Sequence, residues 1–209
     1  MSEIKHVAFL NPQGNFDQND SYWTEHPDFG GQLVYVKEVS MALAEMGINV
    51  DIITRQINEF SDLYDSYPGY DNLRIIRLPF GGDKFLAKEK LWPHLKEYID
   101  AVAEFYDEEG IFPDFFTTHY GDGGLAGVLL KEKMECPFSF TGHSLGAQKM
   151  DKLNFSKDNF EQLIDRFKFH SRIISERLAM KFSNQIIVST SQERMEQYSH
   201  PYYEGAVDV

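Results

Sequence analysis

Short apolar runs alternate along this chain with longer segments in which apolar residues recur every three or four positions. The runs predict six strands, at residues 6–10, 49–54, 73–80, 114–119, 137–142 and 184–190. The longer segments predict helices at residues 31–46, 88–108, 124–133 and 159–182, with a last short helix capped by Ser191. This alternation predicts an α/β domain of Rossmann-like type, a doubly wound and mostly parallel sheet with helices on both faces.

The segment at residues 31–46 shows the helical pattern clearly. Its apolar side chains form a single face made by Leu33, Val36, Val39, Leu43 and Met46. Gly47 then supplies the left-handed residue that commonly follows a helix. Residues 55–72, in contrast, are polar and rich in turn formers, which predicts a surface excursion between the second and third strands.

The chain is acidic and has the size of one domain. Its 209 residues carry 20 Lys and Arg against 33 Asp and Glu, a formal net charge of −13. This charge argues against nucleic acid or an anionic membrane surface as a partner. The single cysteine, Cys136, cannot form an internal disulfide, and no apolar stretch approaches the roughly 18 residues of a membrane span. We therefore expect a protein of the cytoplasm.

The loops after the predicted strands carry the candidate chemistry. Ligands of such sheets bind outside the carboxyl ends of the strands. The loops at that edge, residues 11–31, 80–88, 119–124 and 142–150, are each rich in Gly, His, Asp or Gln. The seven histidines show no metal-binding spacing, and no G-x-G-x-x-G follows the first strand. We therefore expect a ligand site at this edge without a bound metal or cofactor.

The run Gly142-His143-Ser144-Leu145-Gly146 fits G-x-S-x-G, the nucleophile elbow of α/β-hydrolases. In that interpretation Ser144 is a nucleophile. Two observations weigh against it: the residues after Gly146 are polar, whereas the helix after an elbow needs an apolar face, and only 65 residues follow Ser144. On the motif alone a hydrolase, a glycine loop that approaches a ligand and a purely structural turn all stay open.

Two further glycine-rich runs are candidates for ligand contact. Gly30-Gly31-Gln32 stands at a predicted helix start, where backbone N–H groups favour an anion, and the plain alternative is a tight turn. Residues 119–124 hold three glycines directly after the fourth strand. They can surround a ligand or simply cap the strand.

Three basic residues lie near these loops in sequence, Lys88, Lys149 and Arg172. Taken singly, each is expected to be a solvated charge. Arg172 can also pair with Glu176 one helical turn on, a pair worth about 0.2–0.5 kcal/mol on an exposed helix.

Six runs together resemble the amino-terminal half of sucrose-phosphate synthases. They are HVAFLNPQG (6–14), DSYWTEHPDFGGQLVYVKE (20–38), PFGGDK (79–84), THYGDGGL (118–125), FTGHSLGAQK (140–149) and IVSTSQER (187–194). The resemblance covers nearly the whole chain, with residues 55–72 the least similar part. As a set the runs are typical of the retaining family 4 glycosyltransferases of GT-B fold, in which an acceptor-binding and a donor-binding domain, both Rossmann-like, face a cleft.

The resemblance implies that residues 1–209 form the acceptor-binding domain. The resemblance also implies that the family's donor-binding signature, two glutamates separated by seven residues with an upstream Arg/Lys pair, lies in the second domain. The donor-binding domain is therefore expected to be absent from the chain, and the isolated domain to be inactive. The implied reaction transfers glucose from UDP-glucose to fructose 6-phosphate with retention, by front-face displacement without a nucleophilic carboxylate.

The resemblance also implies a set of site residues. His143 would be the catalytic residue that faces the transferred sugar, and Gly31 would lie beside the donor phosphates. The acceptor site would contain Gly30, Gln32, Lys88, Tyr120, Ser144, Lys149 and Arg172. A phosphate on a protein of charge −13 needs a local positive cluster, and the basic members of this set would supply it. Ser144 becomes a hydrogen-bonding loop residue in this interpretation.

Alternatives stay open beside this one. The chain can be half of another family 4 enzyme, of the mannosylfructose-phosphate synthase or sucrose synthase type. It can also be a module that binds sugar phosphates without turnover. A serine hydrolase that uses Ser144 is the remote alternative.

Overall fold

The fold is taken from a computed structural model, which describes residues 3–21 and 30–208. Within these residues seven strands form one sheet. They are β1 (His6–Leu10), β2 (Asn49–Arg55), β3 (Tyr64–Asp65), β4 (Leu73–Leu78), β5 (Phe115–His119), β6 (Phe138–Thr141) and β7 (Gln185–Ile186). Their order is β3-β4-β2-β1-β5-β6-β7, and all neighbours are parallel except β3, which is antiparallel to β4.

Six α-helices connect the strands in the described part of the chain. They are α1 (Gly31–Glu45), α2 (Leu95–Glu109), α3 (Tyr120–Met134), α4 (Gly146–Lys152), α5 (Phe160–Phe167) and α6 (Phe169–Phe182). Gly47 follows the end of α1 with φ 83°, as the sequence predicts. The capping residue Met46 is 75% exposed, so its predicted place on the apolar face of the helix is wrong. Two short 3₁₀ turns, Lys88–Lys90 and Trp92–His94, precede α2 and replace the first part of its predicted range.

The sheet is covered on both faces, as a parallel sheet requires. On one face Leu33 of α1 packs in the same apolar cluster as Phe9 of β1. On the other face Tyr98 of α2 and Leu130 of α3 join the cluster that contains Leu10. The predicted doubly wound, mostly parallel α/β architecture is confirmed.

The predicted helix at residues 159–182 is wrong in one respect, because it is two helices. Lys168 has φ 50° and ψ 42°, and this left-handed residue ends α5 and precedes α6. The break lets both Phe160 and Phe169 pack against Phe155, at ring distances of 5.4 and 6.0 Å. Aromatic packing therefore decides a boundary that helical periodicity does not mark.

The helix after β5 begins earlier than the sequence predicts, and the sequence analysis missed the short helix after β6. Residues 120–124 are the first turn of α3 instead of a loop, and α4 follows β6 after four loop residues, 142–145. Glycine conceals the start of α3 because it is a poor helix former. A Cβ on Gly124 would lie 2.8 Å from both Ala179 and Phe140, so the close packing of α3 on α6 requires glycine there.

Three local predictions need correction. The excursion at residues 55–72 contains strand β3 and buries Tyr67, which is 2% exposed. The last predicted strand, residues 184–190, is reduced to β7 at the sheet edge. The last short helix includes a π-helical turn, Glu193–Gln197, and its cap is Thr190 instead of Ser191, since the Glu193 N–H donates to Thr190 Oγ1 at 3.0 Å.

The order of the strands locates the functional edge. From β1 the chain builds one side of the sheet through β2 and β4, and then crosses to β5, β6 and β7 on the other side. The switch point lies between β1 and β5, where a crevice opens at the carboxyl ends of the strands. The segments that begin at Asn11, Tyr120 and Gly142 leave the sheet there. No helix in the described residues is long and apolar enough to cross a membrane.

Candidate functional site

Two hydrogen-bonded histidines lie at the carboxyl ends of β5 and β6. His119 is the last residue of β5, and His143 is the second residue after β6. His119 Nδ1 lies 2.9 Å from His143 Nε2. His143 has φ 56°, a left-handed conformation that is rare for a residue with a side chain and turns the backbone sharply after the strand. That turn brings its ring to the ring of His119.

Aromatic rings enclose this histidine pair. Phe9 stacks on His119 with ring centroids 5.6 Å apart, and Tyr35 of α1 packs at 5.6 Å from His119 and 5.0 Å from His143. Burial, with the proximity of His143, lowers the pKa of His119 well below its ordinary value. Burial also lowers the pKa of His143 to about 4. Both imidazoles are therefore neutral near pH 7.

Two of the predicted cations lie against Tyr120, the first residue of α3. The Arg172 guanidinium carbon is 4.4 Å from the centroid of the Tyr120 ring, and Lys88 Nζ is 5.9 Å from it. Burial raises the pKa of Tyr120, so its hydroxyl stays protonated at neutral pH. The structure thus brings together three of the residues predicted for an acceptor site.

Arg172 does pair with Glu176, but the pair is buried. Its Nε donates to Glu176 Oε1 at 3.0 Å, and the side chains are 3% and 0% exposed. A second guanidinium nitrogen donates to the carbonyl oxygen of Ser144. The solvated surface pair considered from the sequence is therefore wrong. Arg172 instead ties α6 to the loop between β6 and α4, residues 142–145.

Glu176 also holds the first turn of α4. Both of its carboxylate oxygens accept from the Gly146 N–H, at 2.9 and 3.0 Å, and the Tyr203 hydroxyl donates to Oε2. The Ala147 N–H donates to Tyr203 Oη at 3.1 Å. A Cβ on Gly146 would lie 3.1 Å from both Glu176 Oε2 and Arg172 Cδ, so glycine allows this approach. The first two N–H groups of α4 are thus already satisfied by the protein itself.

Lys149 lies on α4, one turn beyond this network. Its Nζ is 3.8 Å from the centroid of the Phe167 ring, at the end of α5, and the side chain is half-buried. Lys149 and Arg172 therefore border the same loop, 142–145, from α4 and from α6. The two helices thus meet at the carboxyl end of β6.

The structure does not give Ser144 the geometry of an elbow nucleophile. In an elbow the serine itself occupies the strained turn. Here the positive φ belongs to His143, and no histidine or carboxylate of the described residues hydrogen-bonds the Ser144 hydroxyl. One argument from the sequence was nevertheless wrong: a helix does follow Gly146, and α4 buries Ala147 and Met150. The position of the strain is the better reason against a hydrolase.

The start of α1 presents its predicted glycines at the surface. Gly30 precedes the helix with extended backbone, and Gly31 is its first residue; both are exposed, with nothing within 4 Å of an added Cβ. The first turn contains no acidic side chain. Gln32 Nε2 is buried without a hydrogen-bond partner among the described residues. This end of α1 can receive an anion.

The sequence of the chain matches a known family over most of its length. The family described as "Sucrose synthase first GT-B domain" matches residues 1–205. The chain belongs to this family. As a first GT-B domain it is 56% identical over 202 residues to a probable sucrose-phosphate synthase of Thermosipho melanesiensis, an alignment that covers 94% of the chain and 47% of the relative.

Two further similarities concern a second enzyme and the fold. The domain is 32% identical over 182 residues to a mannosylfructose-phosphate synthase of Agrobacterium fabrum, covering 81% of the chain and 38% of that protein. The structure of a sucrose-phosphate synthase from Thermosynechococcus elongatus superposes with a TM-score of 0.69 at 23% identity, over 93% of the chain and 44% of that protein. The chain thus spans less than half the length of these relatives, and its fold is that of an amino-terminal GT-B domain.

The first GT-B domain contains two polar residues at the crevice that the sequence analysis missed. Asn11 follows β1 and is fully buried, and neither amide atom has a partner among the described residues. Asp122, in the first turn of α3, is 1% exposed; Oδ1 accepts from the Gly123 N–H at 2.8 Å, while Oδ2 has no partner in the described chain. Burial raises the pKa of Asp122 to about 7. Their positions at strand ends were the available signal.

The described residues offer no prearranged metal centre. Nowhere in residues 3–21 and 30–208 do three or more His, Cys, Asp or Glu side chains form a group that could hold a metal ion. What this edge offers instead is cations, hydroxyl and amide groups, and two neutral imidazoles. Such groups bind and orient a polar ligand.

Proposed function

We propose that this chain is the acceptor-binding domain of a retaining hexosyltransferase of the sucrose-phosphate synthase type, which transfers glucose from UDP-glucose to fructose 6-phosphate. One observation carries the proposal. The buried Arg172 guanidinium is bound to the Ser144 carbonyl beside Tyr120. It lies at the edge of the sheet where the strands end, in a protein of charge −13. An arginine placed in this way is suited to an anionic group such as a sugar phosphate. The relative at 56% identity, a probable sucrose-phosphate synthase, suggests the substrate class.

In this proposal the acceptor lies between α1, α3, α4 and α6. Lys149 and Arg172 hold the 6-phosphate, and Lys88 adds positive charge from beside Tyr120. Gly30, Gln32 and Ser144 hydrogen-bond the sugar. His143 faces the transferred hexose, and Gly31 lies next to the donor phosphates. These roles come from the resemblance, and the location of the residues at one edge supports them.

The state of the carboxylates supports displacement without a covalent intermediate. Two buried carboxyl groups lie next to Tyr120, and Glu89 also lies close enough to raise the Tyr120 pKa. Glu176 is buried in its ion pair, and Asp122 is buried with its pKa raised to about 7. Neither is an exposed, ionised nucleophile. In front-face displacement the leaving phosphate oxygen takes the proton of the acceptor hydroxyl while the new glycosidic bond forms on the same face. The protein then contributes positioning and electrostatics.

A second candidate is a mannosyl transferase that uses the same acceptor. It is favoured by the alignment to a mannosylfructose-phosphate synthase over 81% of the chain. A sucrose synthase type and a non-catalytic sugar-phosphate module are further alternatives. The residues proposed to hold the acceptor phosphate would be shared by both transferases and by the module, so binding of the acceptor does not separate them. The donor sugar therefore needs an experiment of its own.

The test joins this chain to the carboxyl-terminal half of the 56% identical relative. We expect the chain alone to give no transfer and the joined protein to form sucrose 6-phosphate from UDP-glucose and fructose 6-phosphate. GDP-mannose with fructose 6-phosphate, and UDP-glucose with fructose, test the alternatives. Transfer that is faster with either of those pairs than with UDP-glucose and fructose 6-phosphate would overturn the proposal. Binding of fructose 6-phosphate without any transfer would favour the module. Robust transfer by the chain alone would contradict the expectation that transfer needs the donor-binding domain.

A further inference from the structure

We propose that His119 is a positioning residue, which fixes the tautomer and orientation of His143 through the hydrogen-bonded series Thr117–His119–His143. The consequence is that His143 presents Nδ1–H, a hydrogen-bond donor, to the ligand. The inference deepens the proposed function, and the identity of the ligand rests on that function. The tautomer of His143, in contrast, can be measured in this chain without any ligand.

Both nitrogens of His119 are occupied. Thr117 Oγ1 lies 3.2 Å from His119 Nε2, and His143 Nε2 lies 2.9 Å from His119 Nδ1. Thr117 is 7% exposed and His119 is 1% exposed. A neutral imidazole has one donor and one acceptor nitrogen, so the two bonds must run in the same direction along the series. Only two arrangements are possible.

The Thr117 hydroxyl decides between them. Within the described residues its only hydrogen-bond partner is His119. If His143 donated to His119, then His119 would donate to Thr117, and the hydroxyl proton of Thr117 would be buried without an acceptor. In the opposite arrangement Thr117 donates to His119 Nε2, and His119 donates from Nδ1 to His143 Nε2. This second arrangement pairs every donor between Thr117 and His119 and leaves over only the Nδ1–H of the half-buried His143, whereas the first leaves a hydroxyl of the buried Thr117 unpaired, which is the costlier outcome.

His119 is held in the orientation that this arrangement needs. Its ring is stacked on Phe9 with an interplanar angle of 6°, and Tyr35 packs on its other neighbour, His143, at 5.0 Å. Rotation of the His119 ring would break both hydrogen bonds inside this aromatic enclosure. Nε2 of His143 is therefore committed to accepting from His119.

The remaining ring nitrogen of His143 consequently carries the proton. No described residue hydrogen-bonds His143 Nδ1, and the side chain is half-buried where the strands end, beside the crevice. An Nδ1–H group at this position suits an oxygen acceptor, such as a hydroxyl of the transferred hexose. It does not suit general-base catalysis, which needs an unprotonated nitrogen facing the substrate.

The direct test is ¹⁵N spectroscopy of the histidine side chains in the isolated chain. We expect His143 to be neutral and protonated at Nδ1, and His119 likewise. Thr117→Val removes the hydroxyl donor, and we expect His143 then to populate the Nε2–H tautomer as well; Thr117→Ser is the matched control that keeps the Nδ1–H form. A wild-type His143 protonated at Nε2, or a tautomer unaffected by Thr117→Val, would overturn the series.

The second test measures transfer in the chain joined to the donor-binding half. His119→Phe keeps a ring between Phe9 and Tyr35 but removes the donor, and we expect kcat to fall about two- to tenfold, the effect of one lost hydrogen bond, with the KM for the acceptor unchanged. His119→Asn, whose amide can donate to His143, should recover part of the loss. Equal kcat in wild type and His119→Phe would overturn the positioning role. If the joined protein transfers no sugar while the spectra match, the proposed function fails and the tautomer assignment stands.

Discussion

The Arg172 guanidinium and the Glu176 carboxylate lie one turn apart on α6 and are joined at 3.0 Å in an environment that exposes 3% of one side chain and 0% of the other. On a solvated helix such a pair contributes only about 0.2–0.5 kcal/mol. Here the same carboxylate also binds the Gly146 N–H, and the same guanidinium binds the Ser144 carbonyl. The pair therefore links α6, α4 and the loop between β6 and α4.

Breaking this pair should destabilise the fold. Arg172→Ala leaves Glu176 buried without its counter-charge, and the expected loss is about 3–5 kcal/mol in the free energy of unfolding. The double variant Arg172→Met with Glu176→Gln removes both charges and keeps an oxygen for Gly146, so it should recover most of the loss. Urea denaturation measures both variants. A loss below about 1 kcal/mol for Arg172→Ala would mean that the pair behaves as a surface pair.

Lys149 is the cleaner probe of the proposed phosphate site, because a cation–π contact such as that with Phe167 contributes less to stability than the buried Arg172–Glu176 pair. Lys149→Ala should weaken binding of fructose 6-phosphate about ten- to a hundredfold, the effect of one charge-assisted hydrogen bond, and leave fructose binding unchanged. Lys152→Ala removes the same charge from the exposed side of the same helix and is the matched control. Equal effects of the two variants would show that only net charge matters.

Ser144 should be dispensable as a nucleophile. Ser144→Ala removes one hydroxyl and should weaken the free energy of acceptor binding by roughly 0.5–1.5 kcal/mol. A fluorophosphonate should not label the wild-type chain, because the strained residue of the loop is His143 and no base contacts the hydroxyl in the described residues. A covalent adduct on Ser144 would support a hydrolase instead.

Asp122 should make stability depend on pH with a defined sign. Its folded pKa of about 7 exceeds its unfolded value of 3.8, so the native state binds more protons between these values and loses stability as the pH rises through them. Asp122→Asn cannot ionise. The free energy of unfolding of the variant should therefore rise relative to that of wild type by up to about 1.4 kcal/mol per pH unit from pH 4 to 7. Above pH 7 the difference should stay constant. Denaturation series at pH 4, 5, 6, 7 and 8 measure this difference.

The buried histidines act in the opposite direction. The depressed pKa of His143 and of His119 means that the unfolded state binds more protons below about pH 6.5, so acid destabilises the chain through these residues. The effect is common to wild type and Asp122→Asn and cancels in their difference. A difference that does not change with pH would show that Asp122 is ionised in the folded protein at every pH tested.

The architecture was predictable because it follows from local patterns. Apolar runs mark strands that are buried on both faces, and the spacing from Leu33 to Leu43 marks α1. Boundaries set by tertiary contacts were not predictable in this way. The break at Lys168 follows from aromatic packing, and the start of α3 at Tyr120 depends on glycines that approach α6.

The site was predictable at the level of loops and less so at the level of partners. Glycine-rich runs after strands indicated the edge, and the motif resemblance supplied the residues to consider there. Sequence spacing did suggest that Arg172 faces Glu176, but burial changes what the pair does. No pattern along the chain indicated that His119 and His143, 24 residues apart, lie within hydrogen-bonding distance, because that contact depends on the pairing of β5 with β6.

The most direct test of the account is calorimetric titration of the folded chain with fructose 6-phosphate and, in parallel, with fructose and with inorganic phosphate. The account predicts saturable binding of fructose 6-phosphate, at least about tenfold tighter than binding of either part, because the sugar contacts and the phosphate contacts act together. Equal affinity for fructose and fructose 6-phosphate, or no saturable binding of fructose 6-phosphate by a chain whose circular dichroism reports the α/β fold, would contradict it.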